Sequence, residues 1–244
     1  MRTRVFNFSA GQSSGMMTLL EKPTSNDIVL FCDTGREHPL SYKFIDDFER
    51  IEGIKVYRTA YCKRTGPPGF KGFKSLLYNR LDVPNVHHRE CTKQLKVLQA
   101  RRLLRSLGIR KNYDNYIGFR FDEQSRILKH KERFEGVNTV FSLNNRGIVK
   151  QDVIDFWKAK DYNLEIPTIL KNCDCCFLKG KGAIIKILAV YPELGEKWLA
   201  DEKKHTFIKN TSFADMLKIA SRLNLTIDDL NDLEPAYGCS CTTF

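Results

Sequence analysis

The residues with the most chemistry in this chain are its cysteines, and the tightest group is Asn172-Cys173-Asp174-Cys175-Cys176-Phe177. Thiols at i and i+3, such as Cys173 and Cys176, can point into one space and hold a metal at about 2.3 Å. Cys91 stands upstream at the start of a helix-like run, and Cys239-Ser240-Cys241 stands late in the sequence. Together they predict one metal or iron–sulfur centre that ties three distant parts of the chain together. A redox dithiol and ordinary buried thiols are the alternatives for the same residues. Zinc fits such a set of sulfurs as well as iron does. Cys175 is expected to face away from the metal. Cys32 and Cys62, on or beside core strands, are expected to be buried thiols.

A second group is made of small residues and hydroxyls. Ser9-Ala10-Gly11-Gln12-Ser13-Ser14-Gly15 follows an apolar strand, Val5 to Phe8, and precedes a helix opening at Met16. Strand, small-residue loop and helix offer backbone N–H groups to a phosphate. The loop lacks the spacing and lysine of a P-loop, so a plain βα connection is the alternative. Two further polar clusters follow strands. Asp33-Thr34-Gly35-Arg36-Glu37-His38 comes after Ile28 to Cys32, a strand with no polar residue, as expected where both faces are covered. Gly118-Phe119-Arg120-Phe121-Asp122-Glu123 comes at the end of a strand starting at Tyr113. Arg120 and Arg126 have the planar fork that clamps phosphate or sulfate, with surface salt bridges as the alternative. Asp33 either meets a ligand or merely caps its loop.

The elements that position these groups are legible in outline. Strands are expected at Val5–Phe8, Ile28–Cys32, Ile54–Tyr57, Tyr113–Phe119 and Val137–Leu143. Helices are expected at Pro39–Ile51, Cys91–Leu107, Lys150–Lys158, Gly180–Val190, Pro192–Lys204 and Ser212–Leu223. The stretch Ala60–Glu90 reads as irregular. Its basic residues alternate with Tyr61, Phe70, Phe73 and Tyr78, which fits either contact with a polyanion or a solvated lid. The resulting fold class is α/β: a mostly parallel sheet flanked by helices, residues 1–165, followed by a helical cysteine-bearing part, residues 166–244.

Composition sets the bounds. The chain has 244 residues, 42% hydrophobic and 28% charged, a soluble globular composition. The net charge of +11 favours an anionic partner such as a nucleotide or nucleic acid. No apolar run reaches membrane length and no signal-peptide core opens the sequence, so a cytoplasmic protein without a membrane partner is expected. Eight cysteines in a reducing compartment argue for metal or redox use of some of them.

These motifs, in this order, resemble the phosphoadenosine phosphosulfate (PAPS) reductase family, within the adenine-nucleotide alpha-hydrolase-like group. Ser9, Ala10, Gly11, Gln12, Ser13 and Ser14 look like the group's Ser-Gly-Gly-x-Asp-Ser loop. Asp33-Thr34-Gly35-Arg36-Glu37 is similar to the Asp-Thr-Gly motif, and Gly118 through Glu123 to Gly-x-Arg-x-x-Glu. The resemblance covers roughly residues 4 to 180. It implies an adenine nucleotide (ATP, adenylyl sulfate or PAPS) bound by Ser9, Gly11, Gln12, Ser13, Ser14, Gly15, Asp33, Thr34, Gly35, Arg36, Gly118, Arg120 and Glu123. Ser13 replaces the aspartate of the pyrophosphatase loop, which leaves a role for Mg open. Cys91-Thr92-Lys93-Gln94-Leu95-Lys96 looks like the Cys-Cys-x-x-Arg-Lys element of assimilatory reductases, and Cys173 with Cys176 like their later pair. That implies a [4Fe–4S] cluster on Cys91, Cys173, Cys176 and one of Cys239 or Cys241, with zinc as the alternative. It further implies catalytic roles for Cys241, Arg120 and Asp33: thiol attack on the sulfur of a sulfonucleotide, fed by a thiol electron donor. Gly238-Cys239-Ser240-Cys241 departs from the family's Glu-Cys-Gly. Two alternatives therefore stand. One is an ATP-dependent sulfurtransferase modifying tRNA or DNA with a sulfur-donor protein. The other is a non-catalytic nucleotide-binding protein with a structural metal.

Overall fold

Five short runs rich in β-branched and aromatic residues form the strands β1 (Thr3–Asn7), β2 (Ile28–Asp33), β3 (Val56–Ala60), β4 (Tyr113–Tyr116) and β5 (Val137–Val140). The computed structural model describes residues 2–62, 68–78, 83–85, 87, 89–130, 136–203, 205–233 and 236. The strands form one parallel sheet in the order β3-β2-β1-β4-β5. β1 therefore lies between β2 and β4, and the strand order reverses there. In open parallel sheets the crevice for a ligand lies at such a switch point, outside the carboxyl ends of the strands.

Alternate residues of each strand face opposite layers. Phe6, Phe8, Val29 and Phe31 meet one layer, which includes Met16 and Met17 of α1 (Gln12–Glu21) and Phe44 and Phe48 of α2 (Pro39–Glu52). Val5, Ile28, Leu30 and Cys32 meet the other layer, formed by Val97, Ala100 and Leu104. α2 starts and stops where its sequence says it should. Pro39 takes the first helical position, and Gly53 ends the helix at φ 67°.

The connection after β3 departs from the sequence reading. It contains α3 (Gly72–Leu77), whose Phe73, Leu76 and Leu77 are buried. Phe73 is thus a core side chain, not a base-stacking one, and Phe70 meets Tyr78 edge to face with ring centroids 6.0 Å apart. The helix expected over Cys91–Leu107 is split. A π-helical turn, Thr92–Val97, runs into α4 (Leu98–Ser106), with Leu98 N–H donating to the carbonyl of Lys93, five residues back. The strands expected to end at Phe119 and Leu143 end at Tyr116 and Val140. Short helices α5 (Gln124–Leu128) and α6 (Ser142–Asn145) follow them, then α7 (Lys150–Lys158).

The remaining chain forms α8 (Lys181–Val190), α9 (Pro192–Leu199) and α10 (Phe213–Ala220). Ser212 caps α10 by accepting from Asp215 N–H at 3.1 Å, as its sequence predicts. Trp198, Phe207 and Phe213 form an aromatic cluster that reaches back to Phe73 of α3. One hydrophobic cluster runs from Phe6 to Leu230, so a continuous core crosses the expected boundary at 165. None of the helices among the described residues is long and apolar enough to cross a membrane.

Candidate functional site

The crevice at the switch point is real: a cavity of about 330 Å³ opens beyond the carboxyl ends of β1 and β4. Ser9, Gly11, Gln12, Ser13 and Ser14 form one wall. Their hydroxyls are not equivalent. Ser14 accepts from Ser9 N–H at 3.0 Å and donates to the Gly11 carbonyl at 2.9 Å. With its proton so placed, the 3.1 Å contact between the two hydroxyls has Ser9 donating. Ser14 therefore staples the loop and Ser9 leans on it, while Ser13 Oγ accepts from Arg120 Nη1 at 3.3 Å. A Cβ on Gly11 would touch only Ser9 Oγ, at 3.4 Å, so this glycine leaves the wall open. Gly15 is outside the cavity. A Cβ there would come within 2.7 Å of the Trp157 ring, so its smallness serves helix packing.

The opposite wall starts from β4. Gly118, Arg120 and Glu123 line the cavity together with Arg126. A Cβ on Gly118 would sit 3.0 Å from Ser14 Cα, so the glycine lets the two walls meet. Arg120 pairs with Asp122 at 2.8 Å, and Glu123 accepts from Arg120 N–H at 3.0 Å and pairs with Arg126. The Arg126 guanidinium lies 4.1 Å from the Phe119 ring centroid. Asp122 sits with its carboxyl below the usual range. Burial pushes it up, and hydrogen bonding and attraction from Arg120 outweigh that.

The cysteine loop closes the site. Lys171, Asn172, Cys176 and Lys179 line the cavity, and Lys150 of α7 lies at its edge. Gln12 links this loop to the first wall. Its Oε1 accepts from Lys171 Nζ at 2.6 Å, and its Nε2 donates to Asn163 at 2.7 Å. The Lys179 ammonium is buried and donates to the Asp174 carbonyl at 2.6 Å. The lysines were not legible as site residues, although two of them flank the cysteines in sequence. Spacing directs a reader to the sulfurs, and nothing in one sequence shows which way a flanking lysine turns.

Asp33, Thr34, Gly35 and Arg36 do not line this cavity. They lie under the cysteine loop. Glu37 bridges Cys173 as an isolated β pair, and Asp174 N–H donates to the Arg36 carbonyl at 2.8 Å. Thr34 Oγ1 lies 2.7 Å from Glu37 Oε1 and 3.4 Å from Cys173 Sγ. Asp33 accepts from Tyr42 OH at 2.7 Å and from Gly35 N–H at 2.8 Å, the geometry of a loop cap. Arg36 pairs with Asp201, its guanidinium 5.2 Å from the Trp198 ring centroid. Burial pushes the Glu37 carboxyl up. This stretch is a buried polar joint between β2, the cysteine loop and α9.

Among the sulfurs, Cys173 and Cys176 stand at the two ends of one turn, closed by Cys176 N–H to the Cys173 carbonyl at 3.3 Å. Cys175 between them is fully buried. Cys91 packs at the margin of the same core cluster. Among the described residues no three His, Cys, Asp or Glu side chains converge as a metal site, so Cys91, Cys173 and Cys176 alone do not complete one. Two sulfurs on one turn fit half of a four-sulfur set. Cys239 and Cys241 lie outside the described residues. Burial pushes the Cys173 and Cys175 thiols up. Cys32 is buried as expected, whereas Cys62 is exposed, because the chain leaves the sheet at Ala60.

Comparison with known proteins adds three findings. Residues 3–158 match the family model described as the phosphoadenosine phosphosulfate reductase domain. An uncharacterized nin region protein, ORF290, of Escherichia phage lambda is 28% identical over 197 residues, 72% of this chain. The match spans 66% of that relative's length. Among solved structures, phosphoadenylyl-sulfate (PAPS) reductase from Candida auris, as a phosphate complex, is similar with a TM-score of 0.46 and 16% identity. That match covers 64% of this chain and 70% of the other.

Proposed function

The chain belongs to the phosphoadenosine phosphosulfate reductase domain family, and from that premise we propose that it is an enzyme acting on an adenine nucleotide held in the switch-point cavity. Sulfonucleotides, adenylyl sulfate or PAPS, are the first candidates for the substrate. One observation carries the reading: the charge of the cavity. Arg120, Arg126, Lys150, Lys171 and Lys179 line it against one carboxylate, Glu123. Such an imbalance at the carboxyl end of a parallel sheet suits a ligand with several negative oxygens. The Ser9–Ser14 wall supplies hydroxyls and small residues that allow close approach. Arg120, already bonded to Ser13, would orient the anionic end.

Substitution of Arg120 by lysine keeps the charge and removes the fork, so about tenfold weaker nucleotide binding is expected. Titration calorimetry with adenosine 5′-phosphosulfate and ATP measures it. Wild-type protein that binds neither nucleotide would overturn the reading of the cavity. Equal affinity in Arg120→Lys would reduce the residue to part of a general field.

The metal centre enters as a further part of the proposal. Cys173 and Cys176 would hold it from one turn, with Cys91 and one of Cys239 or Cys241 as the remaining ligands. A [4Fe–4S] cluster there would supply a redox-active or polarising centre beside the cavity that Cys176 lines. With Cys239 as the fourth ligand, Cys241 would be left as the attacking thiol. Anaerobically purified protein is expected to carry iron and acid-labile sulfide, both absent from Cys173→Ser. One zinc per chain without sulfide would replace the cluster by a structural metal.

A further inference from the structure

The net charge of the chain is not spread evenly. Between Cys91 and Tyr113 there are seven cations, Lys93, Lys96, Arg101, Arg102, Arg105, Arg110 and Lys111, and no carboxylate. That run alone accounts for seven of the eleven net positive charges. The fold explains its apolar half. Val97, Ala100 and Leu104 press onto β2 and the neighbouring strands and form the cover of that sheet face. It does not explain the polar half. Arg102, Arg105, Arg110 and Lys111 are exposed, and among the described residues none of their side chains has an ion pair or hydrogen bond.

A solvated helix face normally mixes both signs, because like charges one turn apart repel. Here Arg101 and Arg105, and Arg102 and Arg105, are such pairs with no acid between them. The helical run from Thr92 to Ser106 is roughly 20 Å long, and Arg110 and Lys111 extend the stripe past its end. Three of these four exposed cations are arginines, whose fork matches phosphate oxygens. The stretch contains one aromatic residue, Tyr113, and it is buried. A surface for single strands needs exposed rings on which bases stack. A surface that meets only a regular array of phosphates does not.

We propose that the outer face of α4, with Arg110 and Lys111 beyond it, is a docking surface for the phosphate backbone of a nucleic-acid duplex. This surface lies on the sheet layer opposite α1 and α2 and does not depend on what the cavity binds. Binding here is electrostatic and insensitive to sequence, so its signature is steep salt dependence.

The test is fluorescence anisotropy of the full chain with a labelled duplex of random sequence across a salt series. It compares wild type with the variant in which Arg102, Arg105, Arg110 and Lys111 are all changed to Gln. A control variant carries Gln at four exposed lysines elsewhere, Lys158, Lys186, Lys209 and Lys218. Each phosphate that the protein no longer neutralises lowers the slope of log K against log salt by about 0.9, so a fall of roughly 3 to 4 is expected in the first variant. The control is expected to keep the wild-type slope. If the fourfold variant does not fold, Arg110→Gln with Lys111→Gln, outside the helix, is expected to lower the slope by about 2. An equal fall in the control, an unchanged slope in the helix variant, or tighter binding of a single strand or of polyglutamate than of the duplex would overturn the proposal.

Discussion

Gly72→Ala is expected to be among the most damaging single changes outside the cavity, with a loss of more than about 4 kcal/mol of stability. Gly72 opens α3 at φ 57°, in the left-handed region, where any Cβ costs roughly 1–2 kcal/mol. The larger part is steric. A Cβ there would lie 2.1 Å from the carbonyl oxygen of Thr34 and 2.5 Å from its carbon, both backbone atoms that cannot turn aside. The same carbonyl accepts from Phe73 N–H at 2.9 Å, and Gly72 N–H donates to the Tyr61 carbonyl at 2.9 Å. Relief of the clash would break both bonds and lift Phe73 away from Trp198 and Phe207. At roughly 2–4 °C per kcal/mol for a domain of this size, the melting temperature should fall by about 8–16 °C. Gly53→Ala is the internal comparison. Its φ is 67°, yet nothing lies within 4 Å of its Cβ position, so it should lose only the conformational term. Equal melting temperatures for the two variants would show that α3 is not pinned to the exit of β2.

That glycine also shows where a single sequence stops being informative. β1, β2 and the cap of α10 were legible because periodicity, a branched-residue run and a serine N-cap act over a few neighbouring residues. α3 was not, since Gly66-Pro67-Pro68-Gly69 masks a short helix whose stability comes from Trp198 and Phe207, far away in sequence. The loop Ser9–Ser14 and the turn Gly118–Arg120 were assigned to one ligand through the resemblance, and both line the same cavity. The loop Asp33–Arg36 was assigned to the same ligand on the same grounds. That loop packs against the cysteine loop and α9, where Arg36 finds Asp201 and Trp198, more than 160 positions away. Pairings of that kind leave no local pattern. The lysines of the cavity were hidden for the same reason.

The strongest of them is Lys179, and Lys179→Met is expected to weaken anion binding by roughly 10- to 100-fold. Lys150 offers the contrast. It is exposed, so water and salt screen its pull on a ligand, and such surface charges contribute about 0–1 kcal/mol. Lys179 is 5% exposed and meets one acceptor, the backbone carbonyl of Asp174. No carboxylate among the described residues lies within ion-pair distance of its ammonium. Burial pushes that ammonium downward from the ordinary lysine range, the direction expected of a cation short of negative partners. A bound anion would supply the missing partner, and a hydrogen bond to a charged group is worth about 1.5–3 kcal/mol. Methionine has nearly the same length and shape and no polar atom, so the cavity wall should keep its packing. Titration of both variants with inorganic phosphate and with adenosine 5′-phosphosulfate decides the matter. Lys150→Met is expected to bind within about fivefold of wild type. A Lys179→Met protein that folds and binds both anions like wild type would show that the ammonium only braces the Asp174 carbonyl, and would move the anion site toward Arg120.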